Sequence, residues 1–270
     1  MKILFCGDVV GKAGRKLVLS YLPKLKEKFE LDFIIVNGEN AAHGFGITPK
    51  IYSAFLNAGV NVITLGNHSF DKADIFPILN SEDNIIRPMN YPENTIGRGF
   101  TILQDANGVK VAVVQLIGNV FMRTSESAFE SIQKWLQTYK KGKDYDVLVV
   151  DFHAEATAEK VALGHYLDGH ASLVVGTHTH IPTADAHVLS SGTAYISDVG
   201  MCGDYDSVIG MKKESAFPRF LTDAKRSRLE PAEKNSTFCA VIADIDEKTG
   251  FAKEIFPVRL GQTLENTHEV

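Results

Sequence analysis

At 270 residues, 44% hydrophobic and 23% charged, the chain is long enough for one large α/β domain or two smaller ones and can bury a sizeable core. A formal net charge of −5 offers no broad attraction for nucleic acid or an anionic membrane, although a local basic patch for one phosphate stays compatible with it. No run approaches about 18 apolar residues, and the strand-like start KILFC is not a basic segment leading into a long apolar one, so no membrane span or signal peptide is expected.

Strands and helices alternate from there. Residues 2–6 read as a strand, and 16–29 as a helix whose Val18, Leu22, Leu25 and Phe29 form one apolar stripe. A strand over 33–36 follows. Thr48-Pro49 then offers an N-cap and a first-turn proline to a helix carrying Ile51, Phe55 and Leu56, and Gly59 is placed to stop it. A strand over 62–65, a helix over 71–79 and an extended piece at Ile85-Ile86 continue the alternation. Asn107-Gly108 between the runs 100–104 and 109–116 is a hairpin signal. A helix over 125–139, a strand over 147–151, a helix over 155–167 and a strand over 172–175 come next. After residue 186 the character changes, and 187–189, 194–197, 238–246 and 251–258 read as antiparallel strands joined by loops. The polar stretch 223–237 reads as a surface loop with a helix fragment, and nothing resembles a linker, so a single domain over 1–270 is expected. A mostly parallel first half and a β-rich second half suggest two packed sheets with helices outside. Cys6, Cys202 and Cys239 are odd in number, far apart in sequence and lack CxxC spacing. They read as buried small hydrophobes, which suits a reducing, cytoplasmic setting.

The chemistry gathers where the strands end. Gly7-Asp8, Gly38-Glu39-Asn40, Gly66-Asn67-His68, Phe152-His153 and Gly176-Thr177-His178-Thr179-His180 each follow a short apolar run. Parallel strands deliver their C-terminal residues to one sheet edge. Carboxylate, amide and imidazole together there make a mixed oxygen and nitrogen site for hard or borderline divalent metals, and the absence of thiolate favours iron or manganese over a structural zinc.

In this order the fragments resemble the calcineurin-like metallophosphoesterase superfamily, whose usual pattern is GDxH, GDxxD, GNHE, a lone His and GHxH. The counterparts here are GDVV (7–10), GENA (38–41), GNHS (66–69), His153 and THTH (177–180). Val10 stands in place of the first-motif histidine, and Glu39 in place of the bridging aspartate. The strings GDVVGKAGR, NGENAAHG, GNHSFD, DFHAE, GTHTHIPTAD and DVGMCGDYDSVIGM are most similar to the YmdB branch, the bacterial 2′,3′-cyclic-nucleotide 2′-phosphodiesterases. The resemblance implies a four-layer α/β/β/α sandwich, a homo-oligomer, and two metal ions about 3.5–4 Å apart that clamp an in-line phosphoryl displacement. It assigns Asp8, Glu39 and His180 to one ion, and Glu39, Asn67, His153 and His178 to the other. Asn40 is a candidate for the place left by Val10. His68 corresponds to the catalytic histidine that stabilises phosphoryl charge and protonates the leaving oxygen. The implied reaction is attack of a metal-bridging hydroxide on a 2′,3′-cyclic nucleotide to leave a 3′-nucleotide, and a cyclic RNA end offers the same phosphate.

Blander readings exist for each residue. Asp8 could be a helix N-cap, Glu39 and Asn40 could cap a turn, and Asn67 could occupy a left-handed position. Isolated His165, His170, His187 and His268 read as packed or surface residues. The glycines at 7, 11 and 14 lack a phosphate-loop frame and suggest a tight turn leaving Asp8 exposed; Lys12 and Arg15 read as solvated helix charge. His43, in a glycine-rich loop, and Tyr205, which could stack on a base, are candidate substrate contacts. Asp151 and Glu155 could orient His153. The rival functions are a phosphomonoesterase or broader phosphodiesterase, a hydrolase of nonphosphate esters, and a metal-containing regulator that binds RNA or a protein.

Overall fold

The structure, a computed structural model, describes residues 1–122, 126–221 and 228–269. The first sheet opens with β1 (Lys2–Cys6), β2 (Asp8–Val9), β3 (Phe33–Asn37), β4 (Val62–Thr64) and β5 (Ile85–Ile86). The second takes β6 (Phe100–Gln104), β7 (Lys110–Ile117), β8 (Val147–His153), β9 (Leu173–Thr177), β10 (His187–Val188) and β11 (Ala194–Ile196). The chain then returns to the first sheet with β12 (Met201–Asp204), β13 (Ser236–Asp246) and β14 (Phe251–Gly261). The strand orders are β2-β12-β13-β1-β3-β4-β5, with β14 against β13, and β10-β11-β9-β8-β7-β6. The helices are α1 (Gly11–Phe29), α2 (Pro49–Asn57), α3 (Phe76–Ser81), α4 (Ala128–Thr138), α5 (Thr157–Tyr166), α6 (Lys213–Ala216) and α7 (Pro218–Leu221).

The apolar runs are continuous because the central strands are buried on both faces. In β1, Ile3 and Phe5 point between the sheets and meet Val111, Val149 and Val175 of the second sheet. Leu4 and Cys6 point the other way, onto Val18, Leu22 and Leu25 of α1, with Phe55 of α2 and Leu79 of α3 in the same layer. The outer face of the second sheet packs Val114, Leu148 and Val150 against Ile132 and Trp135 of α4 and Leu163 of α5. The result is the expected four-layer α/β/β/α sandwich.

Some local expectations needed correction. Helix α1 begins at Gly11, five residues before the expected start at Lys16, because a first turn of Gly, Lys and Ala carries no stripe of its own. Asp8 lies in a short strand and is fully buried instead of exposed in a turn. Thr48 precedes Pro49 without a side-chain cap bond, while Gly59 does take a positive φ of 89° after α2. The helix expected over 71–79 splits into a 3-10 turn at Ala73–Ile75 and α3. The strands after residue 186 are not all antiparallel. β10 and β11 form a hairpin whose second arm lands parallel to β9. Nor do they form a sheet of their own, since they divide between the two sheets. Position 125 of the expected fourth helix and 223–227 of the polar stretch lie outside the described residues.

All three cysteines are buried and free. Distant in sequence, they meet where β1, β12 and β13 join, with Cys6 Sγ 3.2 Å from Cys202 Sγ. No helix among the described residues is long and apolar enough to cross a membrane.

Candidate metal centre

Strands of both sheets end on one side of the sandwich, and the donors stand at or just past those ends. Asp8 is in β2, Glu39 and Asn40 follow β3, Asn67 follows β4, His153 ends β8, and His178 and His180 follow β9. The structure brings all seven together. Glu39, His153 and His178 form one group and Asp8, Glu39 and His180 another, with the donor atoms of each within 4.8 Å of one another. Glu39 is common to both, as a bridging carboxylate must be.

The contacts show how each side chain is held. Glu39 Oε1 lies 3.2 Å from His153 Nε2 and accepts from Asn40 Nδ2 at 2.9 Å, while Oε2 accepts from His68 N at 3.2 Å. Asn67 Oδ1 is 2.9 Å from His153 Nε2, and His178 Nδ1 is 3.1 Å from the same nitrogen. Asn40 Nδ2 is also 3.1 Å from His180 Nε2. Coordination by Asn40 therefore requires its carboxamide to turn over and present Oδ1. Gly66 must lack a side chain, because a Cβ there would lie 2.1 Å from Glu39 Oε2.

An unpaired atom tests whether these residues suit a cation. Asp8 Oδ1 is fully buried and has no hydrogen-bond partner among the described residues, while Oδ2 accepts from His178 N at 3.1 Å. Two buried carboxylates among three imidazoles, one carboxylate oxygen unsatisfied, fit a divalent cation.

The electrostatics follow from burial and crowding. Burial pushes the Asp8 carboxyl up, with His180 and His153 pulling against it. Burial would also raise Glu39, but its contact and charge interaction with His153 hold it well below the usual carboxylate range. Burial would lower His153, yet Glu39 and then Asp8 drive it up to about 9. His178 is lowered to about 3 by burial and by its charged neighbour His153.

Beneath the donors lies a supporting layer. His153 Nδ1 is 2.9 Å from Thr177 Oγ1, whose hydroxyl donates to Asp151 Oδ1 at 2.7 Å. These bonds fix the ring and leave Nε2 toward Glu39 and Asn67. Asp151 thus orients His153 through Thr177, while Glu155 approaches His178 Nε2 at 3.2 Å instead of touching His153.

A profile of the YmdB-like protein family matches residues 4–258. The chain belongs to the YmdB-like family. A 2′,3′-cyclic-nucleotide 2′-phosphodiesterase of Bacillus subtilis (strain 168) is 48% identical over 255 residues, covering 94% of this chain and 95% of the relative. The crystal structure of a hypothetical protein from Thermus thermophilus superposes with a TM-score of 0.90 at 39% identity, covering 97% of this chain and 100% of that one. A novel phosphatase from Mycoplasma pneumoniae superposes with a TM-score of 0.89 at 34% identity, covering 97% and 94%. The YmdB-like chain has the metallophosphoesterase fold.

Other residues of this YmdB-like site fall outside the donor cluster. His68 lines a cavity of about 360 Å³ beside Glu39, His178 and His180, whose lining also includes Phe45 and Phe220. Its Nδ1 is 2.8 Å from Asp71 Oδ2, and its ring meets Phe45 edge-on at 4.9 Å. That leaves Nε2 for a group in the cavity. Asp71 was not read from the sequence, although its i+3 spacing from His68 was visible. His43 is exposed at a φ of 58° and does not line the cavity, where Gly44 and Phe45 do. Tyr205 packs against Val10, Met201 and Met211, and its hydroxyl donates to the His180 carbonyl at 3.2 Å, so it supports the site from below. Arg15 donates to the Ala41 carbonyl and pins the loop beyond Asn40. The four isolated histidines stay apart from the cluster; His268, for one, packs on Phe29 and Phe256.

Proposed function

We propose that this chain is a dinuclear metal-dependent phosphodiesterase that opens 2′,3′-cyclic nucleotides at the 2′ ester. It is an enzyme of the hydrolase type, as its named relatives are. The observation that carries the reading is the sharing of Glu39 between two donor groups at the floor of a cavity. The name of the Bacillus subtilis relative supplies the substrate class.

Asp8, Glu39, His180 and Asn40 would hold one ion, and Glu39, Asn67, His153 and His178 the other. Iron or manganese suits these oxygen and nitrogen donors. Bound there, two ions would supply positive charge to the phosphoryl oxygens and a nucleophile from water near neutral pH. His68 then does the proton work. With Nδ1 held by Asp71, its Nε2 gives a proton to the 2′ oxygen as the P–O2′ bond breaks. Water's hydroxyl ends on phosphorus, leaving a 3′-phosphate and a free 2′-hydroxyl. The mixed wall of the cavity suits a nucleoside, with phosphate at the donors and base on Phe45 and Phe220.

The test is incubation of purified, manganese-loaded protein with 2′,3′-cyclic AMP and chromatographic separation of the products. We expect 3′-AMP, and none after chelation. Accumulation of 2′-AMP would reverse the bond assignment. No turnover by folded, metal-loaded protein would move the reading to other phosphoesters or to a binding role.

A further inference from the structure

Thr179 lies between the two imidazoles of the HxH segment, and both its polar groups end on one carboxylate oxygen. Thr179 N donates to Asp198 Oδ2 at 3.1 Å and its hydroxyl donates to the same oxygen at 2.8 Å. Lys160 Nζ, from α5, also donates there at 2.7 Å. Lys160 and Asp198 are 2% and 1% exposed, so the ion pair is wholly withdrawn from water. Desolvation makes such a pair a poor source of stability, which asks for another reason to keep it.

The rest of Asp198 supplies one. Its Oδ1 accepts from Gly200 N at 2.8 Å, and the Gly200 carbonyl accepts from Asp8 N at 3.1 Å. Its main chain clasps Thr183, accepting from Thr183 N at 3.0 Å and donating to Thr183 Oγ1 at 3.0 Å. The segment 179–183 is thereby tied on both sides of His180. Within it and just before it, His180 and His178 hold φ values of 67° and 97°. Side-chain-bearing residues keep that left-handed backbone only where the surroundings over-determine it. Lys160 reaches Asp198 across Gly176, where a Cβ would stand 2.9 Å from Lys160 Cδ.

We infer that Lys160–Asp198 is a positioning pair for the metal centre, and that it acts mainly on the Asp8–Glu39–His180 group. The Asp8 backbone and the main chain on both sides of His180 trace back to Asp198, while the His180 ring sits with Nδ1 2.8 Å from the Ile209 carbonyl. His153 has its own support in Thr177 and Asp151, and the His178 ring in Glu155. The inference rests on the dinuclear reading above.

Calorimetric titration of metal-free protein with manganese tests it, alongside the thermal midpoint of each variant. Asp198→Asn should fold, bind one ion with unchanged affinity, and bind the other roughly 10- to 100-fold more weakly. Its kcat should recover at high manganese while KM for 2′,3′-cyclic AMP stays put. Lys160→Met leaves a buried carboxylate unpaired; if it does not fold, the neutral double variant Lys160→Met, Asp198→Asn gives the same readout. Unchanged affinity for both ions in folded Asp198→Asn overturns the inference. So does a parallel loss of both ions with a lowered thermal midpoint, which is the mark of a merely structural pair. Were wild type to bind only one ion, the dinuclear reading would fall, and the clamp would stand or fall on whether Asp198→Asn weakens that ion.

Discussion

In the proposed mechanism His68 and Asp8 serve the same centre in different ways, and substitution should separate their roles. His68→Ala removes the proton donor but no metal ligand. The expected result is two bound ions by metal analysis and a kcat lower by roughly 10²- to 10⁴-fold. Asp8→Ala should instead take the metal content from two ions to one; undiminished stoichiometry would overturn the two-ion assignment that rests on Asp8. His153 adds a pH signature. Its pKa of about 9 in the metal-free fold lies above its ordinary 6.5. The bound proton therefore stabilises the metal-free protein fully below pH 6.5, and that gain is lost as pH rises through about 9. An ion at Nε2 must displace the proton, so manganese affinity should climb across this window with proton release, read by calorimetry in buffers of different ionisation enthalpy. At this scale the sequence was informative about the donors, because Asp, Glu, Asn and His at strand ends have few other tasks in common. It was uninformative about Asp71, Thr177 and Asp198. Their importance lies in what they touch, and ordinary polar residues carry no mark of that.

Among the elements, the turn after β4 has no room for a side chain at Gly66. Gly66→Ala would set a methyl 2.1 Å from Glu39 Oε2 and 2.5 Å from His153 Nε2. The fold has no reason to fail, so we expect a near-native circular dichroism spectrum with depleted metal. α7 offers a different test. Phe220 is 78% exposed at the cavity mouth. Phe220→Ala should raise KM for 2′,3′-cyclic AMP roughly tenfold, the scale of one base–aromatic stack, with kcat kept and a base-free cyclic phosphate unaffected. The apolar runs announced the core strands, as in VLVVDFH of β8, where every residue is buried. The short strands β2 and β12 were invisible. Asp8-Val9 has no periodicity to read, and its partner Met201-Cys202 lies far along the chain.

Over the whole molecule, the layer between the sheets is the apolar store that both sheets share. Phe5, fully buried there, should cost about 3–5 kcal/mol when cut to alanine, read as a lower urea midpoint at unchanged slope. Because that layer draws on both sheets, we propose that residues 1–270 unfold as one unit, and calorimetry should show a single transition. The four layers came from the resemblance, not from periodicity, which finds strands but not their partners. The allotment of β10–β14 between two sheets is decided by contacts across the chain, and no local pattern encodes it.

The placing of β13 beside β1 also has a consequence for the order in which the protein is made. β1 leaves the ribosome well before β13, and one of its edges stays open until 240–244 arrive. Asp8 is held by β12, and β12 itself pairs with β13. A nascent chain stopped before residue 236 would thus own every donor of the proposed centre and still lack the frame that gathers Asp8 to the rest. Assembly of the proposed centre is in this way tied to the synthesis of β13, and a chain stopped short of that strand has its donors without the frame that gathers them.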